Sequence, residues 1–121
     1  MDMRLGAVES RFADIVWANA PMSTKTLIEL CEKELNWKRT TTYTVLKKFC
    51  NRGILHMEKR QVTVLIPRDE FYALQSAEYV DVSFKGSLPA FVAAFTSRKK
   101  LSETEFDQIM DMINKAKEDT K

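Results

Sequence analysis

The sequence predicts a mainly α-helical fold with one small β-hairpin, ordered as three helices, the hairpin and then further helices. Three observations carry that expectation. Apolar residues recur at three- and four-residue spacing through most of the chain. Between Ile54 and Ile66 alone the period drops to two, the alternation of a half-buried strand. Positive charge is also concentrated rather than spread. Residues 37–68 hold Lys38, Arg39, Lys47, Lys48, Arg52, Lys59, Arg60 and Arg68 against the single acid Glu58, a net of +7 within a chain whose total is only +2. Residues 1–36 carry four bases against six acids, and residues 69–121 seven against ten. A basic block between two acidic flanks suits a polyanion, because clustered Lys and Arg gain affinity by releasing counterions from phosphates.

The first helix is expected over about Ala7–Asn19, with Val8, Phe12, Ile15 and Val16 at helical spacing. Ala20-Pro21 ends it, since the residue before proline is pushed out of the α region. Ser23 can cap a second helix over about Thr24–Leu35, whose stripe is Leu27, Ile28, Cys31 and Leu35. A third follows over about Thr40–Arg52, stopped by Gly53. Residues 54–58 and 61–66 are expected to pair as a hairpin turning at Lys59-Arg60, without the Asn-Gly or Asp-Gly that favours a tight turn. Helical pattern resumes over residues 69–83, breaks at Gly86, and continues over 87–97 with Pro89 in the first turn. Ser102-x-x-Glu105 is a capping box opening a last helix with the stripe Phe106, Ile109, Met110 and Ile113.

Composition narrows the function. At 121 residues, 45% hydrophobic and 30% charged, the chain suits one core plus a smaller appended unit. No apolar run approaches the roughly 20 residues that span a bilayer, so no membrane insertion is expected. Arg4, Glu9, Arg11 and Asp14 interrupt any signal core, which predicts a cytoplasmic protein. Cys31 and Cys50 sit among apolar helical neighbours as small hydrophobes, and the single histidine, His56, is expected on a strand's solvent face. Without Cys-x-x-Cys spacing no metal or cofactor is expected. Without a Gly-x-Ser-x-Gly elbow, a phosphate loop or a paired-carboxylate setting, no enzyme activity is expected either.

Three helices followed by a hairpin is the order of a winged helix-turn-helix, so the faces of the third helix matter. At 100° per residue Thr42, Val45, Leu46 and Phe49 share an inner face. Thr40, Thr44, Lys47 and Asn51 point the other way, flanked by Tyr43 and Lys48, and no acid occurs between Asn36 and Met57. Threonine hydroxyls can bond base edges or phosphates, and their methyls can meet a thymine methyl. This predicts insertion into the major groove of double-stranded DNA. An ordinary solvated helix face mixes both signs of charge, which this one does not. A winged-helix interaction module binding an acidic protein partner is the alternative reading of the same face.

The chain resembles the penicillinase-repressor family (the BlaI/MecI type). The resemblance rests on Ile15-Val16-Trp17, on Pro21-Met22-Ser23-Thr24-Lys25, on Trp37 followed by Thr41-x-x-Thr44-x-Leu46, on Arg52-Gly53-Ile54-Leu55, on Gly86-Ser87-Leu88 with Val92-Ala93-Ala94-Phe95, and on Leu101-Ser102. It implies a homodimeric repressor reading a dyad operator, with Thr41 and Thr44 as recognition-helix threonines and Trp37 anchoring the turn before that helix. It also implies a membrane sensor protease as a partner that relieves repression by cleavage, here at the Ala94–Phe95 bond. Departures from the family pattern are Lys38-Arg39-Thr40 for Ser-Pro-Lys, Thr42 for a branched aliphatic, Tyr43 at an often basic position, Arg60 for Gly or Asn, and Ala94 for asparagine. The tail Asn114-Lys115-Ala116-Lys117 has no cysteine, unlike the copper-responsive branch.

The expected division is therefore a winged-helix DNA-binding domain over residues 1–68 and a helical dimerisation domain over 69–121. DNA contacts are expected from Ser23, Thr24, Lys25, Lys38, Arg39, Thr40, Thr41, Tyr43, Thr44, Lys47, Lys48, Asn51, Lys59 and Arg60. Phe71, Leu74, Val80, Leu88, Phe91, Val92, Phe95, Phe106, Ile109, Met110 and Ile113 are more large apolar groups than short helices can bury alone, and are expected at a dimer interface.

Overall fold

The computed structural model describes residues 2–120. Its elements are α1 (Ala7–Asn19), β1 (Met22–Ser23), α2 (Thr24–Leu35), α3 (Arg39–Asn51), β2 (Leu55–Glu58), β3 (Gln61–Val64), α4 (Arg68–Ser83), α5 (Leu88–Arg98) and α6 (Glu103–Asp119). The fold is mainly α with a small antiparallel sheet, the winged helix-turn-helix expected from the element order. The chain forms two compact units, one reaching Tyr79 and the other beginning at Val80.

Local chemistry sets the helix ends. The Gly6 N–H donates to the Glu9 carboxylate at 3.1 Å, and Ser23 Oγ caps α2 by accepting the Thr26 N–H at 3.1 Å. Asn36 ends α2 at φ 56°, a left-handed conformation that asparagine tolerates. Gly53, at φ 76°, turns the chain out of α3 into the sheet. The Ser102/Glu105 capping box forms in both directions, at 3.1 and 3.2 Å.

The sheet has one strand more than expected. Its order is β1-β3-β2, with Met22 opposite Val62 and Ser23 opposite Gln61, while Leu55 to Glu58 pair with Val64 to Gln61. The expected strand over 61–66 is shorter: past Val64 the N–H groups of Leu65 and Ile66 both turn to the Ile54 carbonyl. That bend precedes Pro67 and leads into α4.

The core of the N-terminal unit draws on every element up to α4. Phe12 and Val16 of α1, Leu27 and Cys31 of α2, Leu46 and Phe49 of α3, Leu55 and Val62 of the sheet and Phe71 of α4 are all buried. Phe12 meets Phe49 edge-on at 5.0 Å and stacks on Trp37 at 5.7 Å. Trp17 packs against Phe71 and Tyr72 and donates its indole N–H to the Ile66 carbonyl at 3.0 Å. Burial raises the pKa of both the Cys31 and Cys50 thiols, which keeps them protonated.

The N-terminal segment is stapled to this unit by polar contacts. Buried Met3 donates its N–H to the Glu78 carboxylate at 3.2 Å, and its carbonyl accepts from the Gln75 amide at 2.9 Å. Arg52 donates to the carbonyls of Asp2 and Arg4. Arg68 pairs with Asp14 at 3.5 Å and lies over the Tyr72 ring. Two of the eight bases in the central block are thus committed within the fold.

Phe71 requires a correction. Expected at the dimer interface, it is 0% exposed and belongs to the N-terminal core, because the first turns of α4 close over Trp17. The unit from Val80 onward contrasts with this: among the described residues none of its side chains is buried. Phe71→Ala should cost the N-terminal unit about 3–5 kcal/mol. Urea unfolding followed by tryptophan fluorescence, with both tryptophans in that unit, measures it.

Candidate nucleic-acid interface

Helix α3 divides as its sequence pattern requires. Thr42, Leu46 and Phe49 are buried and Val45 is half-buried, while Thr40, Thr41, Thr44, Lys47, Lys48 and Asn51 are exposed along the opposite side. The buried Thr42 hydroxyl is satisfied by the Lys38 carbonyl at 3.4 Å, so the methyl fills the core without stranding a polar atom. The Thr44 hydroxyl donates back to the Thr40 carbonyl at 2.9 Å. That leaves its methyl and its acceptor lone pairs outward.

The start of α3 runs against its own dipole. Lys38 occupies the cap position without a side-chain cap, Arg39 opens the helix, and the first turn holds no acid. Cations at a helix N-terminus are disfavoured by roughly 0.3–1 kcal/mol each. An anion held there would reverse that sign and meet the first-turn N–H groups.

The hairpin tip carries the same signature. Lys59 and Arg60 form a two-residue loop between the paired Glu58 and Gln61, at φ 51° and 61°. Positive φ at both positions is what a type I′ turn requires, and it favours Asn-Gly rather than two long basic side chains. The tip is also tied inward: the Thr24 N–H donates to the Arg60 carbonyl at 3.0 Å.

Around this tie the structure gathers residues distant in sequence. The Arg39 guanidinium lies over the Tyr43 ring at 5.7 Å from the centroid. The Tyr43 pKa is lowered, first by the Thr24 side chain and further by Arg39. Thr24, expected to contact DNA, is only 4% exposed. Pairing of β1 with β3 draws it under the wing, so it supports the surface instead of forming it. Ser23 is engaged as the α2 cap and half-buried, whereas Lys25 is exposed.

Among the described residues the ion pairs are Arg4–Asp2, His56–Glu58 and Arg68–Asp14. Lys38, Arg39, Lys47, Lys48, Lys59 and Arg60 take part in none of them, and all six are exposed. His56 is on the solvent side of β2, as expected. No group of His, Cys, Asp and Glu among the described residues could hold a metal ion. No described helix is long and apolar enough to cross a membrane.

The remaining expected interface residues lie on α4 to α6. Leu74, Leu88, Val92, Phe95, Phe106, Ile109, Met110 and Ile113 are exposed, and Val80 and Phe91 are half-buried. Ala94 and Phe95 lie inside α5 and are exposed.

A winged helix whose outer face is basic and free of acids defines a DNA-binding regulator of transcription. The model of the penicillinase repressor family matches residues 5–115, and the chain belongs to that family. It is similar to the methicillin resistance regulatory protein MecI of Staphylococcus aureus strain Mu50, 21% identical over 115 residues, covering 92% of this chain and 94% of that one. The proteins of the same name from Mammaliicoccus sciuri and Staphylococcus epidermidis are each 20% identical over the same shares.

Lys59→Asn with Arg60→Gly should relieve the left-handed strain and raise stability by about 1–2 kcal/mol. Thermal or urea unfolding of the double variant against the parent checks this.

Proposed function

We propose that the protein represses transcription as a homodimer, each winged helix reading one half of a dyad operator. The observation that carries this reading is the outer face of α3 with the wing tip: six exposed cations, no ion pair among them, and a row of uncharged hydrogen-bonding side chains between. Lys38, Arg39, Lys47, Lys48, Lys59 and Arg60, with Lys25 beside them, are suited to phosphates. Thr40, Thr41, Tyr43, Thr44 and Asn51 are suited to base edges.

Dimerisation is supported by the unit from Val80 onward. Phe106, Ile109, Met110 and Ile113 recur at i, i+3, i+4 and i+7 of α6, each between 39% and 54% exposed. Leu88, Val92 and Phe95 make a similar stripe on α5. Two such faces joined across a two-fold axis would hold the recognition helices about one DNA turn apart, roughly 34–36 Å or a multiple of it. Coupling two weak half-sites in this way multiplies affinity.

By likeness to relatives named for methicillin resistance, the signal relieving repression is a β-lactam; the family resemblance adds a membrane sensor protease that cuts Ala94–Phe95. That bond is exposed but helical. Cleavage therefore requires local unwinding of α5.

Selection of duplexes from a random library by the full-length protein tests the reading. An enriched dyad sequence is expected; enrichment of none would favour the acidic-protein partner instead. Lys47→Glu should weaken binding to all duplexes and flatten the slope of log affinity against log salt by about one unit for each phosphate left unneutralised. Thr44→Ala should instead change the preferred base at one position of each half-site. Ile109→Glu should convert the dimer to monomer in sedimentation and lower operator affinity with it.

A further inference from the structure

We infer that residues 2–4 form a strap between the recognition helix α3 and helix α4, with Arg52, Gln75 and Glu78 as positioning residues, and that it sets which half-site spacing the protein accepts on DNA. The accepted spacing rests on the dimeric DNA-binding reading above, whereas the strap stands on contacts within the N-terminal unit. In an extended chain the backbone groups of successive residues face opposite sides. Met3 turns both of its groups to α4. Its N–H donates to the two Glu78 carboxylate oxygens at 3.2 and 3.3 Å, and its carbonyl accepts from the Gln75 amide at 2.9 Å. Asp2 and Arg4 turn their carbonyls instead to Arg52, which caps the C-terminal end of α3. Both accept from its Nη2, the second at 2.9 Å.

Burial alone does not require this clasp. Met3 is 3% exposed, so its backbone groups need partners in the protein. Asp2 and Arg4 are exposed, and water could serve their carbonyls equally well. The half-buried Arg52 takes both instead. Its guanidinium is steadied on its own helix by the Phe49 ring, 5.9 Å from the centroid. The segment is also braced from outside, because the Asp2 carboxylate accepts the Arg4 N–H at 2.9 Å and pairs with the Arg4 guanidinium at 3.1 Å. Charged groups thus grip the strap at both ends, and such hydrogen bonds are the stronger kind.

The strap holds the part of α4 that its aromatic anchor does not. Phe71 and Tyr72 fasten the first turns of α4 at Trp17. Gln75 and Glu78 follow Phe71 at i+4 and i+7, on the same helix face but one and two turns further along. Released from the strap, α4 would be anchored at one end and free to pivot there. It is also the helix along which the chain leaves the N-terminal unit. One base pair more between half-sites rotates a site by about 35° and moves it roughly 3.4 Å. A pivoting α4 can follow that change, and a strapped one cannot.

The test uses the full-length protein, the dyad duplex that it enriches from a random library, and the same duplex with one base pair added or removed at the dyad centre. The parent protein should discriminate against both altered spacings. Arg52→Gln cuts the α3 end of the strap, and Gln75→Ala with Glu78→Ala cuts the α4 end. Each, read on protein that sediments as the parent does, should lower the ratio of affinities for the selected and altered spacings. The expected fall is about 3- to 10-fold, the worth of one net hydrogen bond. The triple variant should be no more permissive than either, because a strap cut at one end is already released. An unchanged ratio overturns the positioning role. So does a loss from Arg52→Gln that is equal at every spacing and flattens the salt slope, which marks a phosphate contact instead. A second measurement, amide hydrogen exchange, needs no DNA. Arg52→Gln should raise exchange at residues 74–79 of α4, although its own side chain bonds only Asp2 and Arg4 there. Exchange raised at residues 2–4 alone overturns the strap, whereas raised exchange in α4 with no duplex enriched would overturn the DNA reading and leave the strap standing.

Discussion

The contact on which the rest depends is the packing of Phe49 against Phe12. It fixes the rotational phase of α3 about its own axis. With Phe49 and Leu46 inserted beside Phe12, the 100° step per residue leaves Thr40, Thr44, Lys47 and Asn51 no direction but outward. Stacking of Trp37 on Phe12 sets the entry to the same helix. One aromatic side chain on α1 thus determines both where α3 begins and which face it offers. Rotating the helix by one residue would bury a lysine and expose a phenylalanine, a cost far above that of any single surface contact.

Around that face the structure accepts several local penalties of one kind. Lys38 and Arg39 sit at the positive end of a helix dipole. Lys59 and Arg60 occupy left-handed positions that suit Asn and Gly. Six cations are exposed on α3 and the wing tip, with Glu58 the single acid beside them in sequence. Each is a small cost in the isolated chain, and an anionic partner offsets all of them together. Arg52 and Arg68, which lie in the same stretch of sequence, carry none of this character. Their guanidinium groups are engaged by the Asp2 and Arg4 carbonyls and by Asp14.

The two units differ in how completely they satisfy themselves. The N-terminal unit closes a core of aromatic and aliphatic side chains, finished by Phe71 from α4 and sealed at its edge by Met3. From Val80 onward the helices are well capped but their apolar stripes stay open to solvent. Good caps with unburied stripes mark helices that form locally and complete their packing elsewhere. Such an arrangement suits the association and regulated cleavage proposed for this region.

Much of the fold was legible in the sequence because its causes are local. The 3.6-residue period, Ser23, Gly53 and the Ser102/Glu105 box placed α1 and α2 to the residue and bracketed the others, and the phase of α3 followed from Leu46 and Phe49. Charge counting found the basic block and the expected contacts left Arg52 and Arg68 out of it, but their partners were hidden, since composition cannot tell a guanidinium bound to a carbonyl from one facing solvent. β1 was invisible because a two-residue strand has no periodicity and its partner lies some forty residues away. That single long-range pairing decided what the sequence left open. It buries Thr24, ties the wing to α2 and brings Tyr43, Arg39 and Arg60 together. Local patterns name the elements, but the ladder between β1 and β3 sets which side chains of α2 and the wing become neighbours.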